Sequence, residues 1–511
     1  MLPSLLYADA RPKNPAPAGN REELESDLGL GLAVRAMAGE EPAIREAARA
    51  ILFESAPIGV GDIIFRQKII ADALNNRELF FELYNDVAAD LKAYEDARQR
   101  SHPGYARVTP VTVKLRNNAD MLAILLSLAD KIRRLLERLL ERTDPGGVSE
   151  GARRFARAFC AFYSADFIPA ARREAENLGR ISEGSNLALG VKIGCGMKGT
   201  AYTIRSVNQP SFIGRALKRR KNTIPLDTFS MQLKALELRD VSAARLLSVA
   251  SAVVTQTADD LKALYFELSF YAGCVNLHGA LTGAGVRVCY PVPRAGEPDV
   301  LRFNGLSDIS LALGRGEPPV ANSADLDGMR LTIVTGANQG GKSTFLRSVG
   351  CAQLMAQCGM FAAAERFEFC MRPRVFTHFC RPEDMAMDSG KLDEELARLD
   401  HMTDGLRPGA LLLMNESFSS TAEREGAALA REVIGAYCDA GVKVVYVTHL
   451  YEYARSAGLK ARPDVLLLRA ERLGDGSRTY AIKPGVSLPT SYGMDLFSEL
   501  FGTIGGQPIS E

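Results

Sequence analysis

The sequence has almost no net charge, no cysteine pair at metal-binding spacing and no long apolar run. Lys+Arg 62 against Asp+Glu 61 leaves +1, so no global basic field advertises a polyanionic partner. Any nucleic-acid contact must then be a local patch. Nine cysteines, at 160, 195, 274, 289, 351, 358, 370, 380 and 438, include no C-x-x-C pair. An odd, scattered set argues against a zinc or disulfide framework and predicts reduced, mostly buried thiols in a cytoplasmic protein. The opening Met1–Tyr7 lacks the basic region and apolar core of a secretion signal. No stretch approaches the roughly eighteen uninterrupted apolar residues of a membrane span, and no internal repeat is visible. At 511 residues and 47% hydrophobic content, the chain has material for more than one buried core.

Periodicity divides the chain. Residues 9–20, with three prolines, read as a loose leader. From about Glu22 to Ser101 the apolar residues recur at helical spacing. Residues 118–143 form a strongly amphipathic helix, stopped by Asp144-Pro145-Gly146-Gly147, and a second helix runs from about Ser149 to Leu178. Glycines at 190, 194, 196 and 199 between short apolar groups predict a small β-like insertion near 181–206. Helical spacing resumes over Asp227–His278, and short strand-like segments occupy 284–335. Beyond Leu331, apolar strands alternate with helices to about Gly502, which predicts an α/β domain on a largely parallel sheet. The expected class is α + α/β multidomain. It has a leader (1–21), a helical region (22–283), a nucleotide-binding domain (284–505) and a tail (506–511).

The most specific motif is Gly336-Ala337-Asn338-Gln339-Gly340-Gly341-Lys342-Ser343-Thr344, directly behind the apolar run Leu331–Val334. This is the phosphate-loop pattern G-x-x-x-x-G-K-[ST] in its strand-to-helix context. Glycines let successive N–H groups point inward, the following helix presents its positive end, Lys342 neutralises the outer phosphates and Ser343 can ligand Mg²⁺. The pattern predicts a nucleoside-triphosphate pocket. A second landmark, Ala410–Glu416, is an apolar strand ending in polar residues. In phosphate-loop ATPases a strand next to the loop strand delivers a Mg²⁺-binding Asp. Asn415 stands in that place and Glu416 behind it is free to orient the attacking water. A neutral amide in place of the acid predicts weak metal affinity and slow turnover. The third landmark, Lys443–His449, is a strand ending in His449, at the sheet edge where α/β proteins bind ligands. Between them, Ser389-Gly390 opens a helix bearing Leu392, Leu396 and Leu399; a Ser-Gly pair there can form a second anion site, but on its own it reads as an ordinary helix cap.

Together these residues resemble the MutS family of DNA mismatch-repair ATPases, of the ABC superfamily. The resemblance runs in order through Gly336–Thr344, Leu354–Ala363, Glu383–Lys391, Asn415-Glu416, Thr448-His449-Leu450 and Lys483-Pro484-Gly485…Ser491-Tyr492-Gly493. It is strong over about 320–502, and weaker over the helical half, where residues 22–95 look like the family's core domain and the later helices like its lever arms. It implies an ABC-type P-loop ATPase with ATP and Mg²⁺. Lys342 and Ser343 would hold phosphates and metal, with Asn338 lining the pocket. Asn415 and Glu416 would complete the metal site, Glu416 would be the catalytic carboxylate and His449 the γ-phosphate sensor. Val320 and Asn322 would lie against the adenine with Tyr480 stacking on it. Ser389 would reach the partner's nucleotide in a homodimer with composite sites.

The resemblance is to a short member. Core-like helices begin near residue 22, leaving no room for the family's mismatch-reading domain with its Phe-x-Glu wedge, and the chain stops nine residues after Gly502. A contact to double-stranded DNA through its backbone is expected at Arg215, Lys218, Arg219, Arg220 and Lys221, five bases in seven positions with no acid. The same cluster fits a solvated helix end equally well. The implied function is a dimeric, ATP-driven clamp on DNA. A nucleotide-gated binding module with very slow hydrolysis and an ATPase acting on a protein partner are the alternatives.

Overall fold

In the computed structural model the described residues are 3–8, 20–54, 58–101, 110–142, 147–182, 186–193, 199–208, 229–295, 299–381, 390–459, 462–473 and 477–488. Residues 9–19 of the expected leader, the basic cluster Arg215–Lys221 and Ser389 lie outside them, as does the Ser491–Gly493 motif, whereas Leu5, Leu6 and Tyr7 within the 1–21 span are buried. The chain packs as two units. One holds Met1–Leu5 and Asn75–Leu268, the other Leu6–Leu74 and Ser269–Glu511.

The first unit is helical, with one hairpin. Helices α5 (Arg77–Ser101) and α6 (Val111–Leu140) pack together, and α7 (Glu150–Phe162) and α8 (Phe167–Ser182) pack on α6. The buried stripe of α6 carries Leu115, Leu122, Leu125, Leu126, Leu128, Ile132, Leu135 and Leu136, the spacing that made it legible. The single helix expected from Ser149 to Leu178 is instead two. Tyr163 leaves the helical region at φ −98°, ψ 59°, and the Phe167 N–H donates to Ser164 Oγ at 3.1 Å, so a new cap restarts the chain. Apolar spacing continues through that break, which is why periodicity alone does not register it. Strands β1 (Asn186–Ile193) and β2 (Gly199–Asn208) pair antiparallel in the glycine-rich stretch. The 55-residue α9 (Phe229–Gly283) is roughly 80 Å long at 1.5 Å per residue. Within this unit its Ala243 and Ala250 pack against Leu115 of α6, and Tyr265 stacks on Tyr84 of α5.

The second unit is built on a six-stranded sheet. Its members are β6 (Leu331–Thr335), β8 (Val375–Phe379), β9 (Leu411–Asn415), β10 (Lys443–Val447), β11 (Val465–Arg472) and β12 (Arg478–Pro484), in spatial order β12-β11-β6-β10-β9-β8. All pairings are parallel except β11 with β12. Strands β6, β10 and β8 are buried along their length and β9 up to Asn415, as a parallel sheet covered on both faces requires. A second sheet joins β3 (Val292–Pro293), β7 (Arg366–Phe369), β4 (Leu301–Leu306) and β5 (Asn322–Asp325). One point differs from the sequence expectation: the strand ending in Asn415 does not neighbour the loop strand. β10 lies between them, with Val447 opposite both Val334 and Asn415.

Helices α1 (Arg21–Asp27), α2 (Leu30–Ala38), α3 (Pro42–Arg49) and α4 (Val60–Asn75, to Leu74) belong to this unit too. Their packing is close. A Cβ at Gly350, in helix α11 (Lys342–Gln357), would lie 2.6 Å from the ends of the Leu28 and Leu413 side chains, so a larger residue would force these leucines to move. Arg66 of α4 is fully buried. It donates to Leu6 O at 2.9 Å and Cys358 O at 3.1 Å, and lies over the Tyr7 ring. Eight described cysteines are free, four of them buried. Among the described residues no helix is long and apolar enough to cross a membrane.

Candidate functional site

The phosphate-loop residues, Asn415, Glu416 and His449 meet at the C-terminal edge of the parallel strands. Behind β6 the chain curls through Gly336 (φ 118°), Gln339 (φ 58°) and Gly341 (φ 91°) before α11 begins at Lys342. Gly336 requires glycine by space as well as by φ, and Gly340 by space alone. A Cβ on Gly336 would sit 3.0 Å from the Ala470 backbone nitrogen, and one on Gly340 2.9 Å from Ala337 O. The loop is therefore pressed between its own backbone and β11. Asn338 and Gln339 face solvent, and Gln339 Oε1 accepts from Arg478 of β12 at 3.2 Å.

Lys342 is buried. Its Nζ donates to Gly336 O at 2.9 Å and Ala337 O at 3.1 Å, which draws the ammonium into the curl. Burial lowers its pKa from the ordinary lysine value, and the nearby Glu416 charge works in the opposite direction. Ser343, next in the helix, donates from Oγ to Asn415 Oδ1 at 2.9 Å. Two strand spacings, about 9.5 Å, separate β6 from β9. The loop and the first turn of α11 are what carry Ser343 across the end of β10.

Glu416 follows Asn415 in the left-handed region at φ 57°, with its N–H donating to Val447 O at 2.9 Å. Its carboxylate pairs with His449 Nδ1 through Oε2. That hydrogen bond raises the His449 pKa above the ordinary value. Partial burial and the Lys342 charge oppose the rise. Lys342, Glu416 and His449 thus form one electrostatic group at the mouth of the loop.

A separate rim closes the other side. Asn322 is buried and accepts the Ile482 N–H at 2.7 Å on Oδ1, while its Nδ2 donates to Tyr480 O and Val320 O at 3.4 Å. This bridge ties β5 to β12. Val320 and Tyr480 are exposed at 46% and 48%, so both apolar surfaces are open to a planar ligand. Tyr480 also sits at positive φ (58°), and a Cβ on Gly341 would lie 3.3 Å from its carbonyl oxygen. So Val320, Asn322, Tyr480 and the loop are brought together.

Sequence reasoning missed a layer of buried polar groups behind Glu416. His378 and Ser417 hydrogen-bond at 2.7 Å, Tyr446 donates to Ser417 O at 2.6 Å, and Glu395 accepts from Phe418 N–H at 2.6 Å. Burial and the Arg398 charge hold His378 down to about 3, so it is neutral here. A signal for Glu395 was present: it falls three residues after Leu392 and four before Leu399, on the apolar stripe of its helix.

Comparisons with known proteins match two separate stretches of the chain. The family described as MutS domain V matches residues 332–501, and that described as MutS2 N-terminal domain matches 59–284. Both matches are thus to MutS-type families, the earlier stretch resembling a MutS2 N-terminal domain and the later one a MutS domain V. "DNA mismatch repair protein MutS" of Chloroflexus aurantiacus is 31% identical over 234 residues, 45% of this chain and 24% of that protein. "Endonuclease MutS2" of Thermus thermophilus is 35% identical over 132 residues, 26% of this chain and 18% of its own length. The human "MutS protein homolog 4" is 24% identical over 186 residues, 35% of this chain and 20% of that protein. The matched stretch spans about a quarter or less of each of these relatives.

Proposed function

We propose that this protein is a DNA-binding ATPase of the MutS type, acting in mismatch repair or a related DNA transaction. The observation that carries the reading is the buried Lys342 ammonium inside a curled loop, with Ser343, Asn415, Glu416 and His449 gathered around its mouth. In this proposal residues 284–505 are the ATPase domain and 22–283 the core and lever helices. ATP lies with its phosphates along Gly336–Thr344 and its adenine between Val320, Asn322 and Tyr480. Glu416 orients the attacking water and His449 contacts the γ-phosphate.

The residues present fit a Mg²⁺ ion. Ser343 Oγ and Asn415 Oδ1 lie 2.9 Å apart. Adjacent oxygens of an octahedron with bonds of about 2.0–2.1 Å are separated by roughly the same distance. Ser343, Asn415 and Glu416 would hold the ion, whose charge would neutralise phosphate oxygens. Ser389 completes the site of a partner subunit in a homodimer, and Arg215, Lys218, Arg219, Arg220 and Lys221 contact the backbone of double-stranded DNA.

Asn415 favours a second reading: a nucleotide-gated module in which hydrolysis is so slow that ATP serves as a conformational ligand. Turnover and ATP affinity measured with and without duplex DNA separate the two. DNA-stimulated hydrolysis supports the first, and ATP binding with negligible turnover the second. Failure to bind adenine nucleotide overturns both. Arg219→Ala with Arg220→Ala should weaken duplex binding and flatten its salt dependence, and unchanged binding moves the DNA contact elsewhere.

A further inference from the structure

The turn behind β9 holds two side-chain-bearing residues in the left-handed region, Glu416 at φ 57° and Phe418 at φ 63°. Each is an unfavourable conformation for a residue with a side chain, so the turn keeps this shape only where its surroundings over-determine it. Glu416 is fixed through its N–H to Val447 O. Ser417, fully buried, is held from two strands. Its carbonyl accepts from Tyr446 of β10, and its hydroxyl meets both the Nδ1 and the carbonyl oxygen of His378 of β8. The remaining grip comes from helix α12 (Lys391–Thr403). One carboxylate, Glu395, accepts the Phe418 N–H on Oε1 at 2.6 Å and the Ser420 hydroxyl on Oε2 at 2.8 Å.

Glu395 is 3% exposed. A buried carboxylate is costly unless its oxygens are matched by donors, and here each oxygen has one. Both donors come from this one turn. The position also lies on a helix face whose next turn carries the buried Leu399, where packing alone favours an apolar side chain. We propose that Glu395 is a positioning residue for Glu416. By clamping Phe418 and Ser420 it holds the left-handed turn that aims the Glu416 carboxylate at Lys342 and His449, and so ties hydrolysis to the seating of α12. The proposal rests on the reading of Glu416 as the hydrolytic carboxylate. Without the clamp the turn relaxes toward ordinary φ values, which swings the Glu416 side chain but leaves the phosphate loop untouched. The effect is on the chemical step, not on nucleotide affinity.

The test uses the full chain, with ATP affinity by calorimetry and single-turnover hydrolysis of radiolabelled ATP for each variant. Glu395→Gln keeps both bonds, since its amide oxygen accepts from Phe418 N–H and its amide nitrogen donates to Ser420 Oγ. It should hydrolyse within about threefold of the parent. Glu395→Leu, similar in volume, should lose about tenfold or more in rate, the worth of roughly one well-made hydrogen bond, with ATP affinity within about twofold. Ser420→Ala, which removes only the half-buried partner, should lose about threefold. A folded Glu395→Leu protein with parental rate overturns the proposal, as does a loss that appears equally in affinity. If Glu395→Leu does not fold, an unchanged rate in Ser420→Ala overturns it. Glu416→Gln run alongside separates the two claims. Full hydrolysis there removes the catalytic assignment itself, whereas loss there with none in the Glu395 and Ser420 variants removes only the link.

Discussion

The Ser343 hydroxyl donates to the Asn415 side-chain carbonyl across 2.9 Å, joining the first turn of the loop helix to the end of a strand two places away in the sheet. A carboxylate at 415 would accept the same hydrogen bond and add a negative charge beside the loop. Asn415→Asp should therefore lower the Mg²⁺ concentration needed for half-maximal hydrolysis by about tenfold, since hard oxygen anions bind this ion more strongly than a neutral amide does. A Mg²⁺ titration of turnover checks it. An unshifted midpoint means that the side chain at 415 does not act on the metal.

Lys342 is held by two loop carbonyls and is almost fully buried, so its charge is aimed into the curl before any ligand is considered. Lys342→Ala should reduce ATP affinity by about a hundredfold or more, the loss of a desolvated charge-assisted contact. The far-ultraviolet spectrum should be unchanged, because the side chain carries loop contacts, not core packing. Calorimetric titration with ATP measures the loss, and retained affinity would place the nucleotide elsewhere.

The Glu416–His449 pair gives a pH dependence with a definite sign. The hydrogen bond from Glu416 raises the His449 pKa, so the imidazolium persists above the ordinary histidine range and is lost as pH rises through the raised value. If the charged form contacts the γ-phosphate, turnover should fall on the alkaline side of that pKa. His449→Gln should show a lower rate and lack this limb. A pH–rate profile with the same limb in both proteins would assign it to another group.

Much of this site was legible because its chemistry is local. The loop, Asn415-Glu416 and Thr448-His449 each sit at the end of an apolar run, and a parallel sheet gathers such ends along one edge. What was not legible is non-local. The sequence of β9 and β10 does not say which one neighbours the loop strand. The apolar stripes of α1–α3, with Leu28, Met37 and Ile44 buried, specify a covered face but not the sheet unit that covers it. The break at Tyr163 was hidden because Phe159, Tyr163 and Phe167 continue the aromatic spacing across it. Glu395 and His378 escaped notice because a polar residue in an apolar stretch carries no label for the turn it supports.

Lys443 offers a test of the fold that does not depend on the nucleotide. It opens β10 almost fully buried, and its Nζ meets Asp299 Oδ2 at 3.0 Å, Leu326 O at 2.6 Å and Met329 O at 2.7 Å. Burial lowers its pKa to about 8, against the Asp299 charge that opposes the shift. A lysine depressed on folding binds fewer protons in the native state than in the unfolded chain between the two pKa values. Stability contributed at this site therefore increases as pH rises from about 8 toward the ordinary lysine value. Removing the side chain's titration with Lys443→Met should abolish that increment. The parent's Tm should gain on the variant's between neutral pH and mildly alkaline pH, by a few degrees for roughly 1 kcal/mol. Thermal unfolding of both proteins across that interval measures it. Parallel curves would mean that Lys443 keeps its proton throughout and that its carbonyl ligands, with Asp299, offset the cost of burial.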